Sequence, residues 1–261
     1  MSRMKRAFAE MKARGEKILV SYFPIGDSYL ADTVDWARRF FETGTSVLEI
    51  GLPYEDPFLD GPVVRDAMDR ALSRIDLDRA FDEIRQIREA FPDSVLQPMT
   101  YMGNVHKYGY ERFAAIMAAC DVDAVLVPNA TTDELDALDR VLRPYGIDNL
   151  RFIPYRVSQD MIEDLQKNGS GYVYLQAVDG ATGSSAEITD QVKRNATLLR
   201  DAGIDLPMLP GFGISTPEHV RKYISMGLDG VIVGSAIIKH ILAGDGEPYL
   251  RSLRDALNRN G

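Results

Sequence analysis

The feature of this 261-residue chain that most narrows its fold is a repeated switch of hydrophobic period. Short apolar, β-rich runs occur at residues 17–23, 46–50, 95–99, 124–127, 150–154, 172–175, 207–209 and 230–233. Such runs are too short for helices and read as buried strands. Segments of helical period separate them. Leu30, Val34, Ala37 and Phe41 mark one apolar face, and Leu77, Phe81, Ile84, Ile87 and Phe91 a second. Asp133, Leu135, Leu138 and Val141 fit a third, and helical patterns also cover 159–167, 190–201 and 217–226. Strands that alternate with helices pair in parallel, because the crossover helix returns the chain to the same end of the sheet. Eight such units in about 250 residues suit a closed (β/α)8 TIM barrel of the α/β class. An open doubly wound sheet is the rival, but no Gly-x-Gly-x-x-Gly follows the first strand to support it.

Two additions to the barrel are expected. Met4, Phe8 and Met11 share one face of a helix before the first strand, placed to plug the lower end of the cylinder. Residues 61–72 read as an extra helix after the second strand. No linker, low-complexity tract or close repeat divides the chain, so residues 1–261 read as one barrel domain. With 45% hydrophobic residues there is enough apolar material for a large core. The formal net charge of -9, with no basic cluster, argues against nucleic acid as a partner. Residues 1–17 mix charges and lack an apolar core, so they do not read as a signal peptide. No apolar run approaches membrane-spanning length. Cys120 is the only cysteine, which excludes an internal disulfide and fits a cytoplasmic protein. Its apolar surroundings make it a packed core thiol rather than a nucleophile.

The second strand carries the most informative chemistry. Glu49 stands near the end of the apolar run 46–50, where a charge is expensive to desolvate. Either the carboxylate is ion-paired or turned to solvent, or its pKa is raised, which suits proton transfer near neutral pH. Asp60 follows in a loop punctuated by Pro53, Pro57 and Gly61. In a barrel, active sites lie at the C-terminal strand ends. Tyr22 and Asp27 close the first strand, Tyr101 follows the third and Tyr174 ends the sixth. Carboxylates and aromatic rings at one mouth suit a flat apolar ligand with a polar edge.

Glycines form a second cluster. Gly211-Phe212-Gly213 follows the seventh strand, Gly234-Ser235 opens a short helix at 236–241 after the eighth, and Thr182-Gly183 lies after the sixth. Backbone N–H groups at helix N-termini bind phosphate, and the loops after barrel strands seven and eight are where phosphate is usually held. Tight turns without a ligand are the alternative reading. His106, His219 and His240 lack metal-ligand spacing and read as solvated, and no metal site stands out.

Over almost its whole length the sequence resembles the alpha subunit of tryptophan synthase. The resemblance rests on Glu49-x-Gly51-x-Pro53-Tyr54-x-Asp56-Pro57-x-x-Asp60-Gly61-Pro62, on Tyr172-Val173-Tyr174-Leu175 with Thr182-Gly183, and on Gly211-Phe212-Gly213-Ile214-Ser215-x-Pro217 with Gly234-Ser235-Ala236-Ile237. It implies retro-aldol cleavage of indole-3-glycerol phosphate to indole and glyceraldehyde 3-phosphate, a carbon–carbon lyase step of tryptophan biosynthesis. By the resemblance Glu49 is the general acid/base and Asp60 the carboxylate that bonds the indole N–H, the catalytic pair. Tyr22, Tyr101, Tyr174 and Thr182 are expected against substrate, Thr182 closing a loop toward Asp60. Gly183, Gly211, Gly213, Gly234 and Ser235 are expected to cradle the phosphate.

No metal or organic cofactor is implied for this chain, since pyridoxal phosphate belongs to the beta subunit that consumes the indole. Departures from the family pattern fall in loops that close the site or face that partner. Glu55 stands where Ser is usual, Leu59 where Ala is usual, and Asn129 where the loop after the fourth strand usually carries Asp. Gly103-Asn104 replaces an Asn-Pro, and the loop after the sixth strand lacks an Arg. The phosphate and acid/base positions keep the pattern. Two alternatives accompany this reading: a stand-alone indole-releasing lyase outside tryptophan synthesis, and a non-catalytic barrel that binds a phosphate ligand.

Overall fold

A computed structural model describes residues 2–180 and 190–258. The strands are β1 (Ile18–Pro24), β2 (Val47–Gly51), β3 (Val95–Met99), β4 (Ala124–Val125), β5 (Asp148–Asn149), β6 (Arg151–Ile153), β7 (Val173–Gln176), β8 (Met208–Gly211) and β9 (Gly230–Val233). All the pairings are parallel. They run β3-β2-β1-β9, β4-β5 and β6-β7-β8. Backbone hydrogen bonds join these pieces into a cylinder. Leu126 N donates to Pro98 O (2.9 Å), Leu150 N to Val125 O (2.9 Å) and Asp229 N to Met208 O (3.2 Å). The fifth apolar run of the sequence is thus a strand in two short pieces, interrupted at Leu150.

Alternation along the strands creates two cores, as a two-residue period requires. Ile18, Val20 and Tyr22 of β1 point into the cylinder with Val47, Val95, Ala124, Tyr172, Tyr174, Leu209 and Ile232. Leu19, Phe23, Leu48, Ile50, Leu96, Val173, Leu175, Val231 and Val233 instead meet the surrounding helices. The expected N-terminal helix is Arg3–Ala13, capped by the Ser2 hydroxyl, and it buries Met4, Phe8 and Met11. These three join the inner core, so the helix closes the lower end of the cylinder. The expected helix after β2 is Pro62–Leu72, with proline in its first turn where the missing N–H costs nothing.

Some expectations shift. Helix Thr33–Glu42 buries Phe40 rather than Phe41, and Phe41 packs beside Phe91 with ring centroids 5.2 Å apart. Helix Thr132–Leu142 buries Leu138 and Leu142. Helices Met102–Tyr108, Tyr110–Ala119 and Gly246–Asn258 lie outside the helical patterns given above, although the last has a clear apolar face of Tyr249, Leu250, Leu253, Ala256 and Leu257. In the stretch 113–119 the apolar residues run around the whole helix, which blurs its period.

Candidate active site

The upper end of the cylinder holds a cavity that opens to solvent. Its floor is set by strand register. Tyr22 pairs with Glu49 and Glu49 with Gln97, so the three inward side chains form one row across β1, β2 and β3. Phe152 and Tyr174 form the facing row on β6 and β7. Tyr22, Glu49, Asp60, Met99, Phe152, Tyr174 and Phe212 line the cavity, and among the described residues no Lys, Arg or His does.

Glu49 is 3% exposed. Burial is the main cause that pushes its carboxyl up from 4.5 to about 8, and the nearby charge of Asp60 adds to it. A hydrogen bond from Gln97 Nε2 to Glu49 Oε1 (3.4 Å) acts in the opposite direction. The ion-paired and solvent-facing readings of Glu49 are therefore set aside. Near pH 7 this carboxyl holds its proton and can give it up to a reacting atom. Asp60 is also buried, and Tyr101 Oη donates to its Oδ2 at 2.7 Å.

Tyr101 lies behind Asp60 rather than in the cavity wall. It is fully buried, stacked on Tyr54 with centroids 4.9 Å apart and tilted against Phe58 at 5.5 Å. Burial first, then the Asp60 charge, drives its phenol far above its ordinary pKa. Tyr101 thus keeps its proton and holds Asp60 in place. Gly103 makes the stack possible, because a Cβ there would overlap the Tyr54 ring. Asn104 donates to Pro53 O (3.1 Å) and Thr100 Oγ1 (3.0 Å), which ties the loop after β2 to the helix after β3. The Gly103-Asn104 departure therefore serves the support behind Asp60.

Tyr22 and Tyr174 contribute rings to the cavity wall, and burial drives both phenols well above their ordinary pKa. Gly51 and Gly211 are required beneath them, since a Cβ at either would overlap the phenol of Tyr22 or Tyr174. Gly211 thus seats a ring and does not itself line the cavity. Tyr174 meets Phe152 (5.4 Å) and Phe212 (6.0 Å) to form an aromatic wall opposite the carboxylates. Phe212 has φ of 71°, a strained conformation for a residue with a side chain.

Gly213, Gly234 and Ser235 border the same cavity. Ser235 begins helix Ser235–Ala243, whose N-terminus has no side-chain cap. Its first N–H groups are thus available to an anion, with the helix dipole behind them. Gly213 has φ of 73°, which turns the chain at the end of β8. Thr182 and Gly183 lie outside the described residues.

Asp27, grouped with the mouth residues on sequence, is instead fully buried in an ion pair with Arg70, its oxygens 2.6 and 2.8 Å from the guanidinium. His219 Nδ1 sits 3.1 Å from Gly213 O, His240 stacks on Tyr249 at 3.8 Å, and His106 pairs with Glu134 at 3.2 Å. Cys120 is buried, as expected, and burial raises its thiol pKa. No group of three or more potential metal ligands occurs among the described residues.

Sequence reasoning missed Phe152, Phe212 and Gln97. Gln97 had a signal, an amide within an otherwise apolar strand, whereas Phe152 and Phe212 look like ordinary packing until the register aligns them.

A sequence model of the family described as tryptophan synthase alpha chain matches residues 8–256. The tryptophan synthase alpha chain of Neisseria meningitidis serogroup B is 35% identical over 98% of this chain and 100% of its own length. That of Legionella pneumophila strain Lens is 32% identical over 100% of this chain and 94% of its own. A crystal structure of the alpha chain from L. pneumophila subsp. pneumophila superposes with a TM-score of 0.88 at 29% identity, covering 100% of this chain and 99% of the other. A Mycobacterium tuberculosis tryptophan synthase structure reaches 0.89 at 23% identity, a likeness of fold.

Proposed function

The chain belongs to the tryptophan synthase alpha chain family, and from that premise we propose the following assignment of chemistry to its residues. The reaction is cleavage of indole-3-glycerol phosphate to indole and glyceraldehyde 3-phosphate, a lyase step in tryptophan biosynthesis on a TIM barrel. Glu49 enters protonated and delivers its proton to indole C3. The ring nitrogen then carries positive charge, which the Asp60 carboxylate stabilises through the N–H. Glu49, now a carboxylate, removes the proton of the side-chain hydroxyl next to C3. The O–H electrons become the aldehyde C=O, and the electrons of the broken C–C bond restore the indole. No oxidant is consumed, and Glu49 ends the cycle protonated as it began.

The observation that carries this assignment is the pairing of environments. Glu49 is buried with a carboxyl raised to about 8, while Asp60 accepts a hydrogen bond from Tyr101 in the same cavity. Two carboxylates in different surroundings take opposite roles. Tyr22, Tyr174, Phe152 and Phe212 supply flat apolar surface for the indole. Gly213 and the N-terminus at Gly234 and Ser235 supply N–H groups for the phosphate. The proposal requires no metal or organic cofactor. Transfer of indole to a beta subunit carrying pyridoxal phosphate is part of it, supported by family membership. So is a cytoplasmic location. No described helix is long and apolar enough to cross a membrane.

The test is release of indole from purified chain and indole-3-glycerol phosphate, alone and with a beta subunit. Glu49→Gln is expected to lower kcat by about 10²–10⁴ while phosphate-ligand affinity is kept. Equal loss of turnover and affinity refutes the role of Glu49. A chain that binds substrate without releasing indole is a binding barrel. A chain that is fast alone and indifferent to a beta subunit is a stand-alone lyase.

A further inference from the structure

The inner face of β3 carries one polar residue that the acid/base scheme leaves unused. Gln97 is fully buried, and every hydrogen-bonding atom of its amide is engaged. Nε2 donates to Glu49 Oε1 and to Pro98 O, each at 3.4 Å. Oε1 accepts from Tyr172 Oη at 2.7 Å. A buried amide without partners is costly, so these contacts fix which end of Gln97 faces Glu49. Tyr172 is itself held: it is fully buried just before β7, and the ring of Phe8 of the N-terminal helix lies 6.4 Å from its own. The relay thus runs from the plugged lower end of the barrel to the carboxyl at its upper end.

We propose that Gln97, oriented by Tyr172, is a positioning residue that aims the Glu49 carboxyl and tunes the pH at which it exchanges its proton. The inference rests on the acid/base role proposed for Glu49. Its physical content is simple. An amide N–H facing a carboxylate favours the charged form. Burial and the Asp60 charge both favour the neutral form. Gln97 is the side chain that acts against them, and without it Glu49 would hold its proton too tightly to return it to the cycle. The titratable groups around Glu49 are Asp60 from the loop after β2, Tyr22 on β1, and Tyr172 and Tyr174 by β7. Asp60 favours the neutral form of Glu49, Tyr22 Oη makes no hydrogen bond and Tyr172 Oη donates to Gln97, so none of these takes the place of the Gln97 donor.

The experiment follows Glu49 directly, by ¹³C NMR of its side-chain carboxyl against pH in the full chain, alongside the pH profile of kcat/KM. Gln97→Leu is expected to move the Glu49 midpoint, and the alkaline limb of kcat/KM with it, upward by about one pH unit. Tyr172→Phe leaves the amide present but unanchored and should move both by less. The double variant removes the orphaned hydroxyl as well, so the shift can be read if Gln97→Leu alone folds poorly. An unmoved Glu49 midpoint in a folded Gln97 variant overturns the inference and leaves the role of Glu49 intact. Turnover that survives Glu49→Gln instead overturns that role, while the NMR midpoint still reports on Gln97.

Discussion

The buried carboxyl of Glu49 makes stability depend on pH in a defined direction. In the unfolded chain Glu49 ionises near 4.5, and in the folded chain near 8. Below 4.5 both states hold the proton and the site costs nothing extra. Between the two values the unfolded state releases its proton and the folded state does not, so stability falls as pH rises. Above 8 both are ionised and the loss is complete. At 1.36 kcal/mol per pH unit, the loss reaches about 3 kcal/mol at pH 7 and about 5 kcal/mol above pH 8. Glu49→Gln replaces the carboxyl with a neutral group of the same shape and removes this dependence. The measurement is urea unfolding by circular dichroism of both proteins from pH 5 to 9. The variant is expected to match wild type within a constant offset near pH 5 and to exceed it by several kcal/mol at pH 9. The offset absorbs any difference in how the amide packs, so the slope carries the result. Parallel stability profiles would mean that Glu49 is not dehydrated in the folded chain, and the proton-transfer assignment would lose its physical basis.

Two further outcomes follow from the neighbours of the site. Tyr101→Phe removes the 2.7 Å hydrogen bond to Asp60 while keeping the stack on Tyr54. A hydrogen bond to a charged group contributes roughly 1.5–3 kcal/mol to stability, so the urea midpoint should fall, and kcat/KM for indole release should fall by about 10–100-fold as Asp60 loses its fixed position. An unchanged rate would mean that Asp60 is held by other contacts. Arg70→Met strands Asp27 without its charge partner and should destabilise the fold by about 3–5 kcal/mol, read as a lower urea midpoint. If the folded variant also loses the Glu49-dependent limb of its pH profile, Asp27 belongs to the chemistry after all.

Much of the site was legible because its chemistry conflicts with its setting. A carboxylate in the apolar run at 46–50 is a local contradiction, and paired glycines after two consecutive strands mark places where backbone must come close to something. Glu49, Asp60, Tyr22, Tyr174, Gly213, Gly234 and Ser235 meet at one cavity, as their positions on the strand ends imply. Tyr101 and Gly211 were also legible as site residues, but sequence had no means to place them behind the wall rather than in it. That depends on which ring stacks on which, and stacking is settled by packing between segments far apart in the chain.

The order of hydrophobic periods determined a parallel strand–helix repeat, because such a repeat with short connections has few ways to bury its apolar faces, while closure into a barrel rather than an open sheet is seen in the hydrogen bond from Asp229 N to Met208 O. It also determined the plug, since Met4, Phe8 and Met11 share one face at helical spacing. Register was beyond it. Only the folded cylinder sets Tyr22, Glu49 and Gln97 side by side and puts Phe152 and Tyr174 opposite. Only there does Asp27 find Arg70 while Glu49 has an amide for a partner and no cation. The protonation of a carboxyl is a property of its surroundings, and those surroundings are assembled from strands dozens of residues apart.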